Sequence, residues 1–418
     1  MKVGVFMGNF APTAGGGFTF ADDILQALIK LGSRHTFIVF SYLTENQTSG
    51  ITNQNVQFYC LKTPVQLGLL KQARKKLIMI IAKATTKMPK IQAFFHLNQI
   101  LHKNWLQKAI DDMGIEFMWF PTPFFIEVNI PYIYTVWDLQ HRLQPWFPEV
   151  SANGQWRGRE QMYATAIPRA FTVIVGAEAG KAETVHFYRV PPERVKLIPH
   201  PTPGFALRAS KNSSKEVLTK YHIPEGYLFY PAQFWPHKNH VGLLLAVSLL
   251  RERYDLNLPV VFVGSDQGNL QYVRRMMDEL NLSGHVYFLG FVPQEDLVGL
   301  YRHAFALTYS TFFGPENLPP LEAFALGCPV IASNVSGAQE QLGDAALLVD
   351  PRDEEQIALA IKSLYENPSL RRTLVKRGLK RAASWTSEDF VTSVFAILDE
   401  FEPFRRCWTN TEPYIKAK

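Results

Sequence analysis

Phe305 to Ser333 reads FALTYSTFFGPENLPPLEAFALGCPVIAS, and its periodicity changes twice along the way. FALTYS is a β-rich apolar run, and Thr311 to Leu318 follow as a loop. Pro319 and Pro320 suit a helix start, where a missing N–H costs nothing. Gly327 suits the end of that helix, and Pro329 blocks its continuation. PVIASN then returns to a strand pattern. A strand, a short apolar helix and a second strand make one unit of a parallel α/β sheet.

The same alternation runs outward in both directions. KVGVFM, HTFIVFSY, VQFYCL, EFMWFPT, PYIYTV and FTVIVGA read as strands, and FADDILQALIKLG as an amphipathic helix ending near Gly32. The strands are almost continuously apolar, as expected where helices cover both faces of a parallel sheet. A polar interruption, ALRASKNSSKE, occupies Ala206 to Glu216. The pattern restarts with YLFYPAQ, PVVFVGS and VYFLGFV, and AALLVDP completes it after PVIASN. From Glu354 to about Glu400 only helices follow. The expected architecture is two Rossmann-like, doubly wound α/β domains facing across a cleft. Residues 1–205 would form the first and 206–390 the second, with 391–418 a helix and tail packing back on the first. Ligands of such sheets bind at the carboxyl ends of the strands.

Bulk composition sets further bounds. The chain has 418 residues, is 47% hydrophobic and carries a net charge of +6. No run is long and apolar enough to suggest a membrane-spanning helix, and the first residues read as a strand rather than a signal peptide. Cys60, Cys328 and Cys407 show no metal-ligand spacing, so a reducing cytoplasm is the expected compartment. No Asp or Glu lies between Glu45 and Asp111, a segment containing ten lysines and arginines from Lys62 to Lys108. Residues 62–108 therefore suit an anionic membrane surface, or simply a solvated basic face. No nucleic-acid motif accompanies the charge.

Several residues carry chemistry. The loop and helix start around Pro319 converge on a candidate anion site. Glu322, expected in the first helical turn, either complements the helix dipole or accepts from sugar hydroxyls. Gly15, Gly16 and Gly17 open a helix after the first strand, as a tight turn or a close approach to phosphate. They do not match the dinucleotide fingerprint. Asp138, His141 and Arg142 follow a strand in YTVWDLQHRLQP, either facing the cleft or pairing within their loop. His237 reads as a solvated loop histidine, and His200, in LIPHPTPGF, as structural.

NLPPLEAFALGCPVIASNVSGAQEQLGDAALLVDP, Asn317 to Pro351, resembles the signature of retaining glycosyltransferases of family 4, which have the GT-B fold. The resemblance extends in order along the chain. It takes in YLFYPAQFWPHKNHVGLLLAVSLL, VFVGSDQG, VYFLGFVPQEDLVGLYRHA and, more loosely, TVWDLQHR. It implies transfer of a hexosyl unit from a nucleotide sugar to a glycan or lipid-linked acceptor by front-face attack, with no metal. GDP-mannose, UDP-hexose and UDP-N-acetylhexosamine all fit as donors. On the resemblance, Lys238, Asp138, His141 and Glu316 are the catalytic candidates. Gly15, Gly16, Gly17, Gln233, Phe291, Pro315, Asn317, Leu318 and Glu322 are the donor-binding candidates.

The sequence departs from the family in three places. Gly314 stands where relatives place the first glutamate, with Glu316 two residues later. Gln233 stands where an arginine usually joins Lys238 on the diphosphate. Trp137 replaces the histidine that many relatives have before Asp138. The alternatives are a non-catalytic nucleotide-sugar-binding protein and a GT-B nucleotide-sugar epimerase.

Overall fold

The computed structural model describes residues 1–8, 15–41, 54–60, 105–210 and 215–408. Of the basic segment, Lys62 to Lys103 lie outside the described residues. Seven strands form the first sheet: β1 (Lys2–Phe6), β2 (Thr36–Ser41), β3 (Val56–Cys60), β4 (Phe117–Phe120), β5 (Tyr132–Thr135), β6 (Thr172–Val175) and β7 (Val195–Leu197). Their order is β3-β2-β1-β4-β5-β6-β7, and every pairing is parallel. Six more strands form the second: β8 (Leu228–Pro231), β9 (Val260–Val263), β10 (Val286–Phe288), β11 (Ala306–Tyr309), β12 (Val330–Ser333) and β13 (Ala346–Val349). These run β10-β9-β8-β11-β12-β13, again all parallel.

Strand order therefore reverses between β1 and β4 in the first domain, and between β8 and β11 in the second. Each reversal leaves a crevice at the strands' carboxyl ends, because the crossover helices leave it toward opposite faces. Both faces of each sheet are covered. On β2, Phe37 and Val39 join one core layer, and Ile38 and Phe40 join the other. The strand β7 escapes sequence reading because it is three residues long and only Val195 is buried.

Two chain crossings hinge the domains. The first is near His200, the second near Trp385, and they are tied together. Trp385 Nε1 donates to the Pro199 carbonyl at 2.9 Å, and the Thr202 amide to the Trp385 carbonyl at 3.2 Å. After the second crossing, Thr386 and Asp389 form a reciprocal capping box that starts the Ser387–Arg405 helix. This helix lies under the first sheet, where Phe390, Val391, Val394, Ile397, Leu398 and Phe401 share a core with Val3, Val5, Ile24 and Phe117. Phe401 sits 4.7 Å from the Phe117 ring and 4.8 Å from the Phe171 ring.

Truncating Phe401 to alanine opens a cavity in this layer. The expected loss is about 3–5 kcal/mol from the first domain, read as a lower denaturation midpoint. A midpoint unchanged within error would show that the helix does not support that domain.

Candidate active site in the interdomain cleft

The carboxyl end of β8 leads into a tight turn, Pro236–Lys238, followed by the His240–Tyr254 helix. Asn239 makes this junction possible. It takes a left-handed backbone (φ 51°), and its Oδ1 accepts from the Gly242 amide at 3.1 Å. Its Nδ2 donates to the carbonyls of Ser310 and Pro351 at 2.9 and 2.8 Å. Lys238 is thereby set at the β8/β11 crevice. Its ammonium lies 5.3 Å from the Tyr309 ring centroid, and no carboxylate pairs with it among the described residues. Gln233 bonds locally: its Nε2 donates to Ser265 Oγ at 3.1 Å, and its Oε1 accepts from Trp235 Nε1 at 3.0 Å. Phe291, on the loop after β10, is 53% exposed and free to meet a ligand ring.

Across the crevice, the stretch after β11 behaves differently from expectation in two respects. The helix runs Leu318–Leu326, one residue earlier than the prolines suggest, and Asn317 before it is in extended backbone with no side-chain capping bond. Pro319 and Pro320 therefore occupy its second and third positions, and Glu322 lies beyond the first turn. The Asn317 amide is also engaged, donating to Gln341 Oε1 at 3.0 Å, while Gln341 Nε2 returns a bond to the Asn317 carbonyl at 3.1 Å. Since prolines have no N–H, the helix start offers few donors.

Glu322 is buried, and Tyr301 donates to its Oε2 at 2.6 Å. Burial pushes its carboxyl up to about 7, against the lowering effect of the Tyr301 bond. Glu316 is engaged at the hinge. Its oxygens accept from the His200 amide at 2.7 Å and contact His200 Nδ1, with 4% of the side chain exposed. Gly176 makes room for it, since a Cβ there would overlap the Glu316 carboxylate. Gly314 has φ 134°, a region that side-chain-bearing residues rarely adopt, and a Cβ would strike Asn317. The backbone at 314 thus disfavours a glutamate there.

From the first domain, Gly15 (φ 68°) caps the Gly16–Lys30 helix, with Gly16 and Gly17 as its first residues. A Cβ on Gly16 would come within 3.3 Å of Leu318, so the two helix starts meet across the cleft. Asp138 bonds the Gln140 amide at 2.9 Å and Arg159 at 2.5 Å. Burial would raise its pKa, but Arg159 and the Gln140 amide carry it below the usual value.

The segment after Asp138 was expected to be a loop, but Gln140–Leu143 form one helical turn. That turn buries His141 completely, against Glu160 at 3.1 Å and the Tyr163 ring. Burial holds the imidazole below its ordinary pKa. Arg142 also pairs with Glu160. Trp137 packs against Phe20 and His200. His237, expected in solvent, is instead 13% exposed and bound to Glu149 of the first domain at 2.5 Å. No short motif in the sequence announces Glu149.

Residues 215–381 match the family Glycosyl transferases group 1. Over 246 residues the chain is 28% identical to the O-antigen chain mannosyltransferase B of Escherichia coli, covering 59% of this chain and 65% of that protein. It thus spans just under two thirds of that relative's length. Among solved structures, the sucrose-phosphate synthase of Thermosynechococcus elongatus superposes with a TM-score of 0.71 at 19% identity, covering 96% of this chain and 99% of the other. An Anabaena protein, HepE, crystallised with UDP, does so at 0.65 and 15% identity, covering 96% and 100%. The architecture is GT-B. No helix among the described residues is long and apolar enough to cross a membrane.

The raised Glu322 carboxyl sets a pH dependence. Between about pH 4.5 and 7 the unfolded chain ionises at this residue while the folded chain stays protonated, so stability falls as pH rises. Above about 7 both states are ionised and the slope vanishes. Glu322→Gln should remove a decline of about 1.4 kcal/mol per pH unit across that window, measured by urea unfolding at pH 5, 6 and 7. Equal declines in both proteins would place the carboxyl's pKa elsewhere.

Proposed function

We propose that the protein is a retaining glycosyltransferase of the family 4 type, moving a hexosyl unit from a nucleotide sugar to a glycan or lipid-linked acceptor. The observation that carries this is Lys238, fixed at the β8/β11 crevice without a carboxylate partner among the described residues, inside a region matching glycosyltransferases group 1. A cation held there by backbone geometry is ready for charge that appears only as a diphosphate departs.

In the proposed reaction, the acceptor hydroxyl approaches the anomeric carbon on the face from which the diphosphate leaves. The bond from that carbon to the diphosphate oxygen breaks as the new glycosidic bond forms. The hydroxyl proton passes to the departing diphosphate oxygen. Configuration is retained without a protein nucleophile, so the two-carboxylate scheme of retaining glycosidases does not apply. Lys238 supplies the charge stabilisation and no metal is needed. With Gln233 neutral, this lysine carries more of the load than an Arg–Lys pair would. Glu322 would hold the ribose and Phe291 the base, with Glu316 and Leu318 amides near the sugar. Below about pH 7 the protonated Glu322 carboxyl would donate as well as accept there. GDP-mannose is the first donor to try, since the E. coli relative is a mannosyltransferase. An acceptor in polysaccharide synthesis follows by the same likeness, and peripheral attachment to the inner membrane face would suit the basic segment 62–108.

A non-catalytic sugar-nucleotide binder is the second reading, favoured by Gly314 and by the engagement of Glu316 with His200. Incubation with GDP-mannose, UDP-glucose and UDP-N-acetylglucosamine, with and without glycan acceptors and with EDTA, separates the two. Lys238→Ala should lower kcat by about 10²–10³, the scale of losing one preorganised stabiliser of transition-state charge. Turnover near the wild-type rate in that variant would sink the assignment.

A further inference from the structure

His237 is the member of PAQFWPHKNH to which the transfer reaction gives no task, yet it is held more firmly than a loop histidine needs to be. Its amide donates to Glu149 Oε1 at 3.0 Å, and its Nδ1 lies 2.5 Å from the same oxygen. Glu149 belongs to the first domain and is 6% exposed in its side chain. On the other side, the His237 carbonyl accepts from the Phe312 amide at 2.8 Å and Thr311 Oγ1 at 3.1 Å. Asn239 is pinned to Ser310 and Pro351, as above. The turn bearing Lys238 is thus fixed within its own domain on one side and by the other domain on the opposite side.

The grip comes from a short strap, Gln144 to Glu149, that follows β5. Gln144 Nε2 donates to the Phe312 carbonyl at 3.0 Å, and the Phe147 ring sits 5.9 Å from Phe312 and 6.2 Å from His237. Burial and the Lys238 ammonium hold His237 below its ordinary pKa, and Asp138 and Glu149 oppose them. A neutral ring donating from Nδ1 to a carboxylate is a strong, directional bond. It adds no second positive charge beside Lys238.

We propose that Glu149 is a positioning residue: its grip on His237 sets Lys238 in its working place only when the two domains are closed. Domain closure and the readiness of the phosphate-binding lysine become one event. The inference rests on the reading of Lys238 given above. A misplacement of about 1 Å in such a group costs on the order of 10²-fold in rate.

The test compares Glu149→Ala, Glu149→Gln, His237→Ala and the double variant Glu149→Ala/His237→Ala. Glu149→Ala should lower kcat about 10–100-fold while changing the donor KM less than about 3-fold. Glu149→Gln should recover most of the rate, because its amide oxygen still accepts both bonds. The double variant should lose no more than either single alanine change, since both cut one contact. Dye pairs on the exposed Gln161 and Glu279 read the interdomain distance without any need for turnover. Glu149→Ala should shift that distance to longer values, and Glu149→Gln should not.

Additive losses, a glutamine variant as impaired as the alanine one, or an unchanged distance in Glu149→Ala would each overturn the proposal. If the wild-type protein transfers sugar from no donor, the enzyme reading fails. The distance measurement then still decides whether Glu149 holds the domains together.

Discussion

Phe390, Val394, Ile397 and Phe401 fill the core of a domain that the chain left nearly two hundred residues earlier. A parallel sheet must be covered on both faces, since its connections run over the faces and its strands are apolar on each side. The Ser387–Arg405 helix covers one face of the first sheet at β1 and β4. Two chain crossings therefore join the domains, tied to each other through Trp385. That double tether turns the carboxyl ends of both sheets toward one cleft.

The site's chemistry follows from that arrangement. Each domain contributes a helix start at its switch point, and these meet where Gly16 faces Leu318. The second domain presents Lys238 on a turn that is rigid because Asn239 accepts a left-handed backbone and spends its side chain on three neighbours. The carboxylates are distributed by burial rather than by sequence position. Glu322 is buried against Tyr301, and that burial raises its carboxyl pKa to about 7, whereas Glu316 is taken by the hinge. Two glutamates close together in sequence thus serve different partners.

Interdomain polar contacts gather along the same cleft. His200 with Glu316, His237 with Glu149, and Gln144 with the Phe312 carbonyl each join residues from opposite sides. All are short-range and directional, so they form only over a narrow range of domain separations. A cleft closed by such bonds can reopen for substrate exchange more readily than one closed by a broad apolar face, because water can replace each bond in turn.

The strand and helix order was legible in the chain. Apolar runs of four to six residues alternate with helical patterns, and the prolines and glycines from Gly314 to Pro329 punctuate one such unit. The place of Lys238 just after a strand was legible too. The sequence could not say where side chains go once strands from distant segments lie side by side. The helix begins at Leu318, one residue earlier than the prolines suggest, and that leaves Glu322 outside the first turn. His141 and Asp138 read either as cleft-facing or as paired within their loop, and the structure buries the first in one helical turn and pairs the second with Arg159. Glu149 carried no signal at all, since a single carboxylate in a Pro-rich stretch is unremarkable until another domain's histidine meets it. Local periodicity is written in neighbouring residues and survives in the sequence alone. Burial, pKa and pairing across the cleft depend on groups far apart in the chain, and only the tertiary structure brings those together.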